Sequence, residues 1–123
     1  MDRFRVLFVE DDLHTRLLIR RFLVSNSYTV YLASDGEEAI NMYIDKKIPL
    51  DVIITDIMMP KLNGLELLMH VKQQKEYADT TIIGITSGYL GYLESLSTEK
   101  FDALLSKPLD MSYLLELLRR ENP

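Results

Sequence analysis

The sequence predicts an α/β fold, a parallel β-sheet covered on both faces by helices, and three observations carry that prediction. Short β-branched or aromatic runs alternate with segments of helical periodicity along the chain, the signature of βαβ units. The run over residues 52–55 (VIIT) is β-branched throughout and mostly apolar, as befits a strand buried on both faces. Runs stop at Glu10-Asp11, Asp56, Thr86 and Lys107; at the carboxyl ends of parallel strands these residues share one edge of the sheet, where ligands bind in open α/β folds.

Residues 4–9 (FRVLFV) are the first apolar run, closed by Glu10, Asp11 and Asp12. Over residues 14–24, Leu17, Leu18, Ile19 and Phe22 recur at helical spacing with Arg16, Arg20 and Arg21 on the other side. Asp12 reads as the N-cap of that helix and Asn26 as its end. Residues 28–33 (YTVYLA) form a second strand. After the turn at Ser34-Asp35-Gly36, Glu37 and Glu38 favour a helix start, and Ala39, Ile40, Tyr43 and Ile44 supply the buried face before Pro49. The third strand runs over residues 51–55, and Pro60 and Gly64 close the loop after Asp56. Leu65, Leu68, Met69 and Val71 predict a third helix over residues 64–74. Residues 81–85 (TIIGI) are the fourth strand, ending at Thr86. Leu90, Leu93 and Leu96 predict a fourth helix over residues 89–98 with its leucines in the core. It is weakened by Gly91, because an interior Gly costs about 1 kcal/mol against Ala. Residues 101–105 read as the fifth strand, and residues 111–120, with Leu114, Leu115, Leu117 and Leu118, as a closing amphipathic helix.

At 123 residues, with 47% hydrophobic and 27% charged residues, the chain suits one ordinary globular domain. A formal charge of −5 argues against a nucleic-acid surface, and the pairs Arg20-Arg21 and Arg119-Arg120 are too small to reverse it. The absence of cysteine removes disulfides, thiolate nucleophiles and thiolate metal sites. The amino-terminal apolar stretch is too short for a signal peptide, and no run approaches a membrane span. A cytoplasmic location is the default expectation.

The shared sheet edge collects carboxylates, one hydroxyl and one ammonium. Carboxylates about 4 Å apart repel by about 4 kcal/mol at an effective dielectric of about 20, so such a cluster needs protons or a cation. Oxygen ligands without Cys or His select a hard ion, and Mg²⁺ fits best. A metal of that kind makes Asp56 a usable nucleophile toward a phosphoryl donor, with Thr86 and Lys107 placed to meet phosphoryl oxygens.

Taken in order, FVEDD, SDGEEAI, DVIITDIMMPKLNG, GITSG and SKPLD resemble the receiver domain of two-component response regulators over residues 4–118. The resemblance implies a flavodoxin-like (βα)5 doubly wound sheet of five parallel strands in the order 2-1-3-4-5. It implies a single receiver domain over residues 1–123 without an output domain. Asp56 becomes the phospho-acceptor, and Glu10 and Asp11 the acidic pair for Mg²⁺, joined by Asp56 and the backbone carbonyl of Met58. Thr86 becomes the switch hydroxyl and Lys107 the active-site lysine, with a cis Lys107-Pro108 peptide. The implied donor is a histidine kinase or histidine phosphotransfer protein. The implied output is an altered face of the fourth helix, fifth strand and last helix that meets a downstream protein, and a homodimer is compatible with it. The chain is then no enzyme beyond its own aspartyl phosphorylation and dephosphorylation.

The sequence departs from that pattern at Leu104, where the family usually has Tyr or Phe, at Lys100, where it usually has Gly, and in the segment bearing Gly88, Tyr89, Gly91 and Tyr92. Leu104 and the glycine-bearing segment suggest the alternative of a phosphorylation-independent receiver acting as an interaction module. An aspartyl phosphohydrolase on a similar sheet would carry a second Asp two residues after the nucleophile, and position 58 is Met. His14 and His70 read as surface residues.

Overall fold

The computed structural model describes residues 4–86 and 99–122. Five parallel strands, β1 (Arg5–Val9), β2 (Thr29–Ala33), β3 (Val52–Asp56), β4 (Thr81–Thr86) and β5 (Ala103–Ser106), form one sheet in the order β2-β1-β3-β4-β5. The helices are α1 (Leu13–Ser25), α2 (Gly36–Ala39, continued by a π-helical turn Ile40–Ile44), α3 (Gly64–Lys72) and α4 (Met111–Glu121), with a 3₁₀ turn at Lys75–Tyr77. This is the flavodoxin-like α/β sheet and strand order that the sequence implied. The predicted fourth helix, with Leu90, Leu93 and Leu96, lies outside the described residues. Among the described residues no helix is long and apolar enough to cross a membrane.

Strand side chains alternate between faces, and the core divides accordingly. On one face Leu7, Val9 and Ile53 pack with Ala39, Ile40 and Ile44 of α2 and Leu67, Leu68 and Val71 of α3. On the other, Val6, Phe8 and Ile54 pack with Ile19 and Leu23 of α1 and Leu114 and Leu118 of α4. The central strand β3 is buried along its whole length, which explains why its sequence reads as a mostly apolar run before Asp56.

Two predicted helix faces are corrected. In α1 the buried residues are Ile19 and Leu23, with Phe22 partly buried, whereas Leu17 and Leu18 are 50% and 53% exposed. Two runs of three apolar residues, 17–19 and 22–24, allow more than one stripe, and the helix capped at Asp12 turns Ile19 and Leu23 inward. In α3 the buried stripe is Leu67, Leu68 and Val71, and Met69 faces solvent. Its start is set by a capping box in which the Asn63 side chain accepts the Glu66 N–H and Glu66 answers to the Asn63 N–H.

The strand ends also shift by a residue or two. Asp51 stays outside β3 because its carboxylate accepts the Arg5 N–H at 2.7 Å. Asp102 likewise accepts the Ile82 N–H at 2.7 Å, so a side chain occupies the first rung and β5 starts at Ala103. Between these elements Tyr77 is fully buried, its hydroxyl donating to the Ile48 carbonyl at 2.8 Å. Thr80 donates to the Leu50 carbonyl at 2.7 Å, closing the end of the sheet opposite the acidic edge.

Candidate functional site

The site is built from the ends of strands β1, β3, β4 and β5. Glu10 follows β1 and is 3% exposed; its N–H donates to the Ala33 carbonyl of β2 at 3.0 Å, extending the ladder by one residue. Asp11, next along, is exposed. Asp12 caps α1, accepting the Thr15 N–H at 2.8 Å and the Thr15 hydroxyl at 2.6 Å. Those two bonds hold its carboxyl below the usual range. The N-cap reading of Asp12 is therefore borne out.

Asp56 ends β3 and is 4% exposed. Its main chain is fixed from three directions. The Thr55 hydroxyl donates to the Asp56 carbonyl at 2.9 Å, the Ile57 N–H donates to Ile85 of β4, and the Gly64 N–H returns to the Ile57 carbonyl. Gly64 sits so close that a Cβ there would lie 2.6 Å from the Asp56 carbonyl oxygen. Met58, two residues on, carries an exposed side chain. Thr86 ends β4 and is buried, and its carbonyl accepts the Lys107 N–H at 3.0 Å. The Lys107-Pro108 peptide is cis.

The sheet edge brings the sequence-predicted acids and the lysine together. One carboxylate oxygen from each of Glu10, Asp11 and Asp56 lies within 4.8 Å of the others. Lys107 Nζ reaches Asp56 Oδ2 at 2.8 Å and Glu10 Oε1 at 3.4 Å. The ammonium thus pairs with two of the three clustered carboxyls. Burial, aided by a hydrogen bond with Asp11 and the charge of Asp56, pushes the Glu10 carboxyl up to about 7 against the opposing pull of the Asp12 N–H, which donates to Glu10 Oε2 at 3.2 Å, and of Lys107. For Lys107, burial works against the charge, but the hydrogen bond to Asp56 and the two carboxylates outweigh it and hold the ammonium above its ordinary value. A cluster of oxygen donors in which burial and neighbouring acids lead one member to keep its proton is one that a hard divalent cation relieves.

Two features of the site escaped sequence reading. Arg16, assigned to the solvent side of α1, reaches back so that Nη1 donates to the Glu10 carbonyl at 2.8 Å and the Asp11 carbonyl at 3.1 Å. Asp35, passed over as a turn residue, is buried and caps α2 by accepting the Glu38 N–H at 2.8 Å, while Gly36 donates to Leu62 in the loop after Asp56. The D-G-E-E spacing carried that second signal; nothing in the sequence singles out Arg16 from its neighbours. His14 is exposed, and His70 meets Asp45 at 3.2 Å on the surface, so neither joins the site.

The family model described as "Response regulator receiver domain" matches residues 6–119. Among curated relatives, Response regulator MprA of Mycobacterium sp. (strain KMS) is 32% identical over 97% of this chain and 52% of its own length. The Probable transcriptional regulator ycf29 of Pyropia yezoensis is 30% identical over 94% of this chain and 51% of its own length. The chain spans about half the length of these relatives. Among solved structures, chemotaxis protein CheY4 of Vibrio cholerae superposes with a TM-score of 0.86 at 30% identity, covering 97% of this chain and 98% of that one. The response regulator TrrA of Thermotoga maritima, solved in complex with Mg²⁺-BeF, gives a TM-score of 0.81 at 30% identity, covering 96% and 98%. With the family matched along nearly all of the described sheet and helices, the chain belongs to the response regulator receiver domains.

Proposed function

We propose that Asp56 accepts a phosphoryl group from the phosphohistidine of a histidine kinase or histidine phosphotransfer protein, in a Mg²⁺-dependent transfer. The observation that carries this reading is the buried Asp56 carboxylate at the sheet edge, 2.8 Å from Lys107 Nζ and within 4.8 Å of the Glu10 and Asp11 carboxylates. Glu10, Asp11 and Asp56, with the backbone carbonyl of Met58, would hold the ion. When bound, Mg²⁺ neutralises the acids and the charge that develops on the transferred group.

The chain's own residues do the rest. An Asp56 oxygen attacks phosphorus as the bond to the donor imidazole nitrogen breaks, and the proton balance is met at that nitrogen. Lys107, already beside the carboxylate, pairs with a phosphoryl oxygen, and the Thr86 hydroxyl donates to another. The loop of residues 57–63 that follows Asp56 is tied to α2 by the Gly36 N–H on the Leu62 carbonyl. The consequence is an altered surface of β5 and α4 for a downstream protein. Supporting this reading, TrrA was solved with Mg²⁺-BeF, and the receiver domain of the sensor histidine kinase PA1611 of Pseudomonas aeruginosa PAO1, 25% identical, with a magnesium ion coordinated in its active site cleft.

The test is incubation with acetyl phosphate and Mg²⁺ followed by intact mass. The mass of one phosphoryl group is expected on the natural chain and none on Asp56→Asn. Equal labelling of the Asn variant sinks the assignment. Unchanged amide spectra with beryllofluoride and Mg²⁺ would favour the phosphorylation-independent module.

A further inference from the structure

We propose that Arg16 is a positioning residue for the metal-binding acids: its guanidinium sets the main chain of Glu10 and Asp11, so that both carboxylates face Asp56. The inference rests on the Mg²⁺-dependent reading of the site and adds a residue to it.

The guanidinium has an unusual task for an arginine beside an acidic cluster. Among the described residues, its hydrogen bonds go to two main-chain carbonyls and to no carboxylate: Nη1 donates to the Glu10 carbonyl at 2.8 Å and the Asp11 carbonyl at 3.1 Å. The arm that delivers it is itself braced. The Arg16 N–H donates to the Asp12 carbonyl at 3.0 Å in the first turn of α1, and the Asp12 carboxylate locks the preceding residue through the Thr15 N–H and hydroxyl. Glu10 has a second anchor, its N–H on the Ala33 carbonyl at 3.0 Å. Asp11 has none: exposed, and one residue beyond the sheet, its main chain is held among the described residues by Arg16 alone. Planar Arg can serve two adjacent carbonyls from one nitrogen while its stem lies along the helix, which a lysine ammonium does less well.

The sign of the effect separates positioning from simple charge. A guanidinium near the acids repels a divalent cation, so on Coulomb's law alone its removal tightens Mg²⁺ binding. Loss of positioning acts the other way. Removing a group that orients metal ligands typically weakens affinity by about 10- to 100-fold.

The experiment is a calorimetric Mg²⁺ titration of the natural chain, Arg16→Gln and Arg16→Lys, with amide spectra of residues 10–12 recorded without metal and thermal unfolding as the folding control. Arg16→Gln is expected to bind Mg²⁺ about 10- to 100-fold more weakly, with broadened or shifted Asp11 and Asp12 amides before any metal is added. Arg16→Lys is expected to recover part of the loss, and it carries the test alone if the Gln variant does not fold. Affinity in Arg16→Gln equal to or tighter than that of the natural chain overturns the proposal while leaving the Mg²⁺ reading intact. A natural chain that does not bind Mg²⁺ overturns both.

Discussion

Gly64→Ala tests how tightly the acceptor strand is built. A Cβ at residue 64 would lie 2.6 Å from the Asp56 carbonyl oxygen and 2.7 Å from Ile57 Cα. Carbon atoms in good contact sit about 3.5 to 4.0 Å apart, so the new methyl is about 0.8 Å too close to Ile57. Both obstructing atoms are main chain and cannot rotate away. The Gly64 N–H is also bonded to the Ile57 carbonyl at 2.9 Å, so the first turn of α3 cannot withdraw without losing that bond. Overpacking of this kind costs about 1 to 3 kcal/mol. Ala returns at most about 1 kcal/mol of helix propensity. Since about 1 kcal/mol moves the midpoint of a domain this size by roughly 3 to 6 °C, a fall of several degrees is expected. Displacing Asp56 by a fraction of an ångström is expected to slow phosphoryl uptake about tenfold, a 1 Å error being worth about a hundredfold. Thermal unfolding followed by circular dichroism and the rate of uptake by intact mass read both effects. Gly84→Ala is the control, because the nearest atoms there belong to side chains, Leu104 Cδ2 at 3.0 Å and Phe101 Cδ1 and Cδ2 at 3.1 Å, and not to main chain. If Gly64→Ala melts with the natural chain and takes up phosphoryl at its rate, the packing argument is wrong.

Three further outcomes are expected. Lys107→Ala strands the buried Asp56 and Glu10 carboxyls; with the lysine side chain 38% exposed the cost is about 1 to 2 kcal/mol, below that of a fully buried pair. Its midpoint should therefore rise more on adding Mg²⁺ than that of the natural chain, with some phosphoryl uptake surviving without the spectral response. Because the fold raises Glu10 from 4.5 to about 7, the native state holds a proton through that window that the unfolded chain has lost. Metal-free stability should fall as pH rises through it and level above about 7. Mg²⁺ affinity should climb by up to about tenfold per pH unit below 7 and then flatten, measured by titration at fixed ionic strength. Tyr77→Phe should cost about 1 kcal/mol by leaving the partly buried Ile48 carbonyl without its donor at 2.8 Å, lowering the midpoint without altering uptake.

The sequence made the sheet and its acidic edge readable because both depend on local rules. A buried parallel strand must be apolar along its length, and a strand must end where polarity returns, so β3 and Asp56 announce each other. Glu10, Asp11 and Lys107 follow by the same rule, and the structure brings their side chains to Asp56. The face of α1 was not readable, because Leu17, Leu18, Ile19, Phe22, Leu23 and Val24 offer several stripes. The choice between them was made by the Asp12 cap and by packing against β1. Arg16 was invisible for a related reason: its role is a contact with main-chain carbonyls, which carry no sequence signature. Strand β5 was misplaced because Asp102 replaces a ladder bond with a side chain, an event that strand propensity cannot register.

The position of Lys107 constrains how far a phosphoryl group at Asp56 could shift the chain. Moving an equilibrium from 1:99 to 99:1 takes about 5.5 kcal/mol of differential interaction, and a hydrogen bond to a charged group contributes about 1.5 to 3 kcal/mol. Counted naively, Lys107 and Thr86 nearly reach that sum. Yet Lys107 is already bonded to Asp56 at 2.8 Å and close to Glu10 in the unmodified protein, so only the difference between its old and new partners counts. A bond present in both states shifts nothing. The larger share must then come from Thr86, buried at the end of β4 beside the start of the Lys107 turn, and from relief of the acid cluster by a bound cation. With Leu104 in place of an aromatic on β5, directly across from Gly84, no large ring at residue 104 adds to the difference. The differential energy available is thus smaller than a count of contacts suggests, and a phosphorylated chain of this sequence is expected to sample both surfaces.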